Sequence, residues 1–339
     1  MSSYVELLNK AAQQVNIVVG IVFLVLGVIG NCLNIVMFSS LLNIKLFPSS
    51  PSRLYLLTTA IADFIFVAYL LTTRIMISGF FIPLTNTINF ICKSRFFIGQ
   101  VCIYISLFCT CFATIDQYLL SSRSVKVRQL SQLSFARIIV LILIIVSCLI
   151  NMPELFIYNV YSRGNGTSTI CTVYSSSWTF YFTYIQSLVI LCLLPLSIFI
   201  IFNILTKNNL RSVRQVHQSI ADQMTRMVLL RAMTMALSLL VATVQIIYQA
   251  VTLNIQKDTL RIAQDNMLNT VANLLTYVNY ICGFYIYLYS SKSLRRNFKD
   301  ILLNHEQIHP MDITTRFTRD RQVHITNYNR IKPVTNNSN

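Results

Sequence analysis

The stretch LYLLTTAIADFIFVAYLLTTRIM, residues 54–76, decides the architecture. It is apolar over the length of a membrane crossing, about 20 residues or more, yet it carries a carboxylate, Asp63, near its centre. A charge at bilayer depth is costly, so such residues face a bundle interior and mark a functional site by default. The competing reading is an incidental polar group satisfied by a neighbouring helix. Both readings require other helices around Asp63, and the sequence offers six more apolar runs: Val15–Leu41, Phe96–Leu120, Phe135–Ile157, Trp178–Leu205, Met227–Leu253 and Met267–Tyr289.

Composition agrees. Of 339 residues, 55% are hydrophobic and only 11% charged, with a mean hydropathy of +0.60, which excludes a soluble domain. The expected fold is an all-α membrane protein, a seven-transmembrane helix bundle. Its N-terminal segment, residues 1–15, is polar, and the first apolar run is too long for the core of a cleavable signal peptide. Of the 27 Lys and Arg residues, 20 fall on the side of the odd-to-even loops and the C-terminal tail, Arg231 counted among them. The positive-inside rule then predicts an outside N-terminus and a cytoplasmic tail at the plasma membrane. The net charge of +16 reads as membrane topology and affinity for anionic lipid, with no case for nucleic acid.

Seven of the nine cysteines lie within spans and read as packing residues. Cys92 and Cys171 fall at outward-facing ends, where thiols pair, so they are the favoured disulfide against the alternative of two free thiols. In the same outward loop as Cys171, Asn165-Gly166-Thr167 is a glycosylation acceptor. After the last span, Leu294, Phe298, Ile301 and Leu302 form one apolar stripe with Arg295, Arg296 and Lys299 around it. That pattern predicts a short amphipathic eighth helix on the inner leaflet. Residues 305–339 are polar and basic and predict a disordered tail, with Thr314, Thr315 and Thr318 as phosphorylation candidates.

The order and spacing of several motifs resemble the rhodopsin-like G protein-coupled receptors, in a divergent, invertebrate-type form with a peptide-receptor cast. Gly30-Asn31 looks like the first-span pair of that family, and Leu57-Thr58-Thr59-Ala60-Ile61-Ala62-Asp63 like its second-span motif. Cys92 matches the third-span cysteine, Asp116-Gln117-Tyr118 stands where Asp-Arg-Tyr is usual, and Pro195 occupies the fifth-span proline position. The resemblance covers residues 16–304 as a seven-helix receptor domain. It implies a receptor, not an enzyme, whose Asp116, Gln117, Tyr118 and Tyr287 face a heterotrimeric G protein, with arrestin as a further partner.

The departures are as informative. Gln117 replaces the family arginine and cannot form an ion pair, though it can hydrogen-bond. The sixth span has neither Cys-Trp-x-Pro nor any proline, and the single tryptophan, Trp178, opens the fifth span. Gly283-Phe284-Tyr285-Ile286-Tyr287 stands where Asn-Pro-x-x-Tyr would be, so only the tyrosine remains.

The resemblance places Ser106, Asn279 and Asn31 with Asp63 in a sodium and water pocket, an oxygen-rich set that suits a hard cation; the alternative is a sodium-free polar network. No other metal or cofactor is expected. Ligand-binding candidates are Arg74, Arg95, Gly99, Gln100, Glu154, Trp178 and Asp265, a mixed-charge set suited to a short peptide. Gly99 or Gln100 at the position where amine receptors carry aspartate argues against a biogenic amine. A non-signalling pseudoreceptor or a chemosensory receptor is the alternative function. A transporter ranks third, lacking internal repeats or midplane helix breaks.

Overall fold

The computed structural model describes residues 2–39, 50–163, 168–212, 219–252, 255–291 and 295. Helices α1 (Ser2–Phe38), α2 (Pro51–Gly79), α3 (Asn89–Ser121), α4 (Leu133–Asn151), α5 (Ser176–Asn209), α6 (Ser219–Val251) and α7 (Thr259–Ile281) make the bundle. A short helix, Gly283–Ser290, continues α7 after a 51° bend. Six of these segments are long and apolar enough to cross a membrane, and the bent pair supplies a seventh. Their outward faces are apolar: Val18 and Val25 on α1, Leu141 and Ile145 on α4, and Leu237 and Val244 on α6 are all exposed. Lipid is the solvent that such a surface requires.

Several helices outrun the predicted apolar runs. α1 begins at Ser2 where the apolar run begins at Val15, so most of the segment expected to precede the bundle is part of its first helix. α7 begins at Thr259 instead of Met267, because Asp258 caps it, its side chain accepting from the Arg261 amide at 3.1 Å. Hydropathy reports where lipid contact is possible, whereas helix length is set by caps and backbone hydrogen bonds. α2 starts in the same manner, with Ser50 accepting from the Arg53 amide and Pro51 in the first turn.

The all-α expectation needs one amendment. Between α4 and α5 lies an antiparallel hairpin, β1 (Asn159–Arg163) with β2 (Ser168–Thr172), in which Val160 pairs with Cys171. The acceptor Asn165, the expected eighth helix and the 305–339 tail lie outside the described residues, Arg295 apart.

α3 runs through the middle, packed against α2, α4, α5 and α6, and α1 closes the ring on α7. Three apolar layers hold it. Phe66, Val67 and Leu70 of α2 pack on Tyr277 and Tyr280 of α7 toward the hairpin end. Tyr104 and Leu107 of α3 pack on Phe199 and Met235. Phe38, Leu56, Phe284 and Tyr287 fill the far end. Between these layers sits a polar centre.

Candidate functional site

Asp63 is 2% exposed and finds its partner on α6. Arg231 Nη2 donates to Asp63 Oδ2 at 2.5 Å, and Ser106 Oγ donates to Oδ1 at 2.6 Å. Arg231 is completely buried. Its Nη1 donates to the carbonyl of Asn279, in the last turn of α7 before the bend. Carbonyls at a helix end lack an intrahelical donor, and a cation there also meets the negative end of the helix dipole. A planar guanidinium can serve both acceptors at once, which an ammonium does poorly. Gly283 leaves the necessary room: a Cβ there would stand 3.3 Å from Arg231 Nη1 and 3.3 Å from Asn34 Nδ2.

Of the polar set expected around Asp63, Ser106 alone contacts the carboxylate, and Arg231 joins it. Ser106 contacts the carboxylate directly, Asn279 enters through its backbone, and Asn31 Nδ2 donates to the Tyr280 carbonyl at 2.9 Å, tying α1 to α7. The side-chain oxygens of Asn31, Asn34, Thr59 and Asn279 are buried with no protein hydrogen-bond partner. Arg231 corrects the reading of the charges. It is an interior residue, where the sequence had it among the flanking basic groups. α6 starts at Ser219, so Arg231 lies about three turns into the helix. The signal was present: an ionisable residue inside an apolar run implies a partner by the same reasoning that singled out Asp63.

At the end away from the hairpin, Asp116 and Gln117 form a second polar hub. The Ser52 amide donates to Asp116 Oδ2 at 3.0 Å, Ser52 Oγ donates to the same oxygen, and Ser131 Oγ donates to Oδ1 at 2.5 Å. Gln117 Nε2 donates to Ser52 Oγ at 2.7 Å, and Thr225 Oγ1 of α6 donates to Gln117 Oε1 at 2.7 Å. The hydrogen bond that Gln117 was expected to retain thus links α3 to both α2 and α6, with neutral groups only. Asp116 and Gln117 are buried, Tyr287 is buried edge-on to Phe38, and Tyr118 is half-buried edge-on to Phe202. The residues expected to face a partner are turned mostly inward.

At the hairpin end, the Cys92–Cys171 disulfide joins β2 to the first turn of α3, and the Cys171 amide donates to Asn86 Oδ1 at 3.1 Å. Two poles lie beneath. Arg95 Nε donates to Thr73 Oγ1 at 3.0 Å, and Arg74 Nε is buried without a partner. Glu154 is fully buried with neither carboxylate oxygen hydrogen-bonded. The side-chain oxygen of Gln100 and the Trp178 indole nitrogen are likewise buried without partners. Gly99 serves packing, since a Cβ there would stand 2.6 Å from Leu70 Cδ2. Asp265 is held within the protein by Lys257 Nζ at 2.5 Å and Tyr248 OH at 2.7 Å. That pair sits on the wall of an open cavity of about 500 Å³ between α6 and α7, which Gln245, Gln249, Asn266 and Asn269 also line. Sequence reasoning missed Lys257, Tyr248 and this amide-rich wall because loop spacing does not say which helix ends meet.

Among the described residues no cluster of three or more His, Cys, Asp or Glu could hold a metal ion. The model of the family described as "7 transmembrane receptor (rhodopsin family)" matches residues 30–287. No curated protein sequence matches the chain.

Proposed function

The chain belongs to the rhodopsin family of seven-transmembrane receptors, and from that premise we propose that it binds a short extracellular peptide and signals through a heterotrimeric G protein at the plasma membrane. In this reading the N-terminus and the hairpin are outside, the Asp116–Gln117 hub is cytoplasmic, and arrestin binds the same inner face. One observation carries the ligand class: beneath the hairpin, two buried poles of opposite character each hold groups without partners. Arg74 offers a donor, and Glu154 and Gln100 offer acceptors. Buried polar groups are ordinarily hydrogen-bonded, so groups left open in a receptor mouth suit a ligand with one cationic and one anionic end. A short peptide has both.

The experiment is a screen of short peptides, each also in N-acetylated and C-amidated form, reading G protein activation and arrestin recruitment at the cell surface. Arg74→Gln should weaken free-carboxylate peptides and leave the amidated forms nearly unchanged; Glu154→Gln should discriminate by the cationic end. Equal losses for all forms in both variants would contradict the two-pole reading. A second reading, the pseudoreceptor, is favoured by the neutral hub at Gln117. A ligand that binds while every G protein class stays silent would select it.

A further inference from the structure

The buried pair at the centre goes beyond the ligand reading and does not depend on it. A hard cation beside Asp63 needs an unmet negative charge and a set of free oxygens. Here the carboxylate is met on Oδ1 by the Ser106 hydroxyl and on Oδ2 by Arg231. Arg231 has no accessible surface, and the charge of the pair sums to zero. A sodium ion entering this pocket would meet a guanidinium and be repelled by it. The residues present therefore do not fit the ion that the family resemblance implied.

We propose that Arg231 is this receptor's own resident cation, carried covalently on α6 in place of a diffusible sodium ion. Three positions are fitted to one another. Arg231 supplies the charge, Gly283 leaves the space beside its Nη1, and the Asn279 carbonyl at the bend of α7 takes the second donor. The absence of a side chain at residue 283 and the presence of an arginine at residue 231 are two halves of one exchange. A free ion would stabilise the pocket according to its concentration. A tethered one is present at all times and joins α6 to α2, so that the helix cannot leave the centre without stripping Asp63 of its counter-charge.

The test uses the purified full chain and the metal alone. Thermal midpoints are recorded in sodium chloride and in N-methyl-D-glucamine chloride at equal ionic strength, with potassium chloride as a further control. The wild type should melt at the same temperature in all three. A saturable, sodium-specific stabilisation of the wild type that Asp63→Asn abolishes would overturn the proposal. Arg231→Met should gain a sodium-specific rise in midpoint, which the Asp63→Asn, Arg231→Met double variant loses again. Arg231→Met that folds yet ignores sodium would also overturn the proposal, because the pocket would then be no cation site. If Arg231→Met fails to fold, Arg231→Lys, which keeps a tethered cation, decides with the wild type: indifference to sodium in both supports the proposal, and a sodium-specific rise in either contradicts it.

Discussion

Two of the polar links that the sixth helix makes to the rest of the bundle differ in kind. At Thr225 the link is neutral, a hydroxyl donating to Gln117, itself hydrogen-bonded to Ser52. Less than two turns along the same helix, at Arg231, it is ionic and fully buried, reaching Asp63 on α2 and a backbone carbonyl on α7. The charge absent from residue 117 has a counterpart deeper in the membrane. A neutral hydrogen bond at a helix end can be exchanged for water or a partner's groups at small cost. A buried ion pair cannot be opened without leaving two unpaired charges in a low dielectric. Of these two links, the one at Arg231 is therefore the harder to open.

The largest expected effect comes from breaking the deep link on one side. Asp63→Ala or Arg231→Met should each cost about 3–5 kcal/mol by stranding the other charge, read as loss of surface expression and a lowered midpoint in detergent. Next is the outer cross-link. Cys92→Ser and Cys171→Ser should each cost about 2–4 kcal/mol, with the double variant no worse than either single one; additive losses would mean that the two act separately. Gly283→Asn should cost about 1–3 kcal/mol by overpacking, and the cost should shrink in an Arg231→Ala background, where the clashing guanidinium is gone. Smallest is Thr225→Val, which removes the neutral bond to Gln117 at about 1 kcal/mol. It should raise basal G protein turnover at matched surface levels more than it lowers stability.

The sequence carried the bundle well and the centre only in part. Seven apolar runs and their order are one-dimensional facts, because a lipid-spanning helix must be apolar along its length. The Cys92–Cys171 pairing was legible for a similar reason, since few thiols lie at outward ends. Asp63 stood out as a lone charge deep within a run. Arg231 did not, because it lies only four positions after the start of its run at Met227, and hydropathy alone cannot tell a flanking charge from an interior one. That its partner is on α2 is a tertiary fact with no local signature. The hairpin β1–β2 has one in retrospect: Asn165-Gly166 between two short β-prone segments is a turn signal as well as a glycosylation acceptor. Arg74, Gln100 and Glu154 were named as individual residues, yet which of their polar atoms are left without partners is a tertiary fact, and the π-helical stretch of α2 at Phe66–Leu71 departs from simple helical periodicity.

The most direct measurement is a double-mutant cycle on Asp63→Asn and Arg231→Met, followed by equilibrium unfolding of the full chain in mixed micelles. An ionic tie between α2 and α6 predicts that the double variant is more stable than the sum of the single losses by close to 3 kcal/mol, about the upper end of what contacting residues show. Additivity within about 0.5 kcal/mol, the behaviour of independent sites, would contradict it.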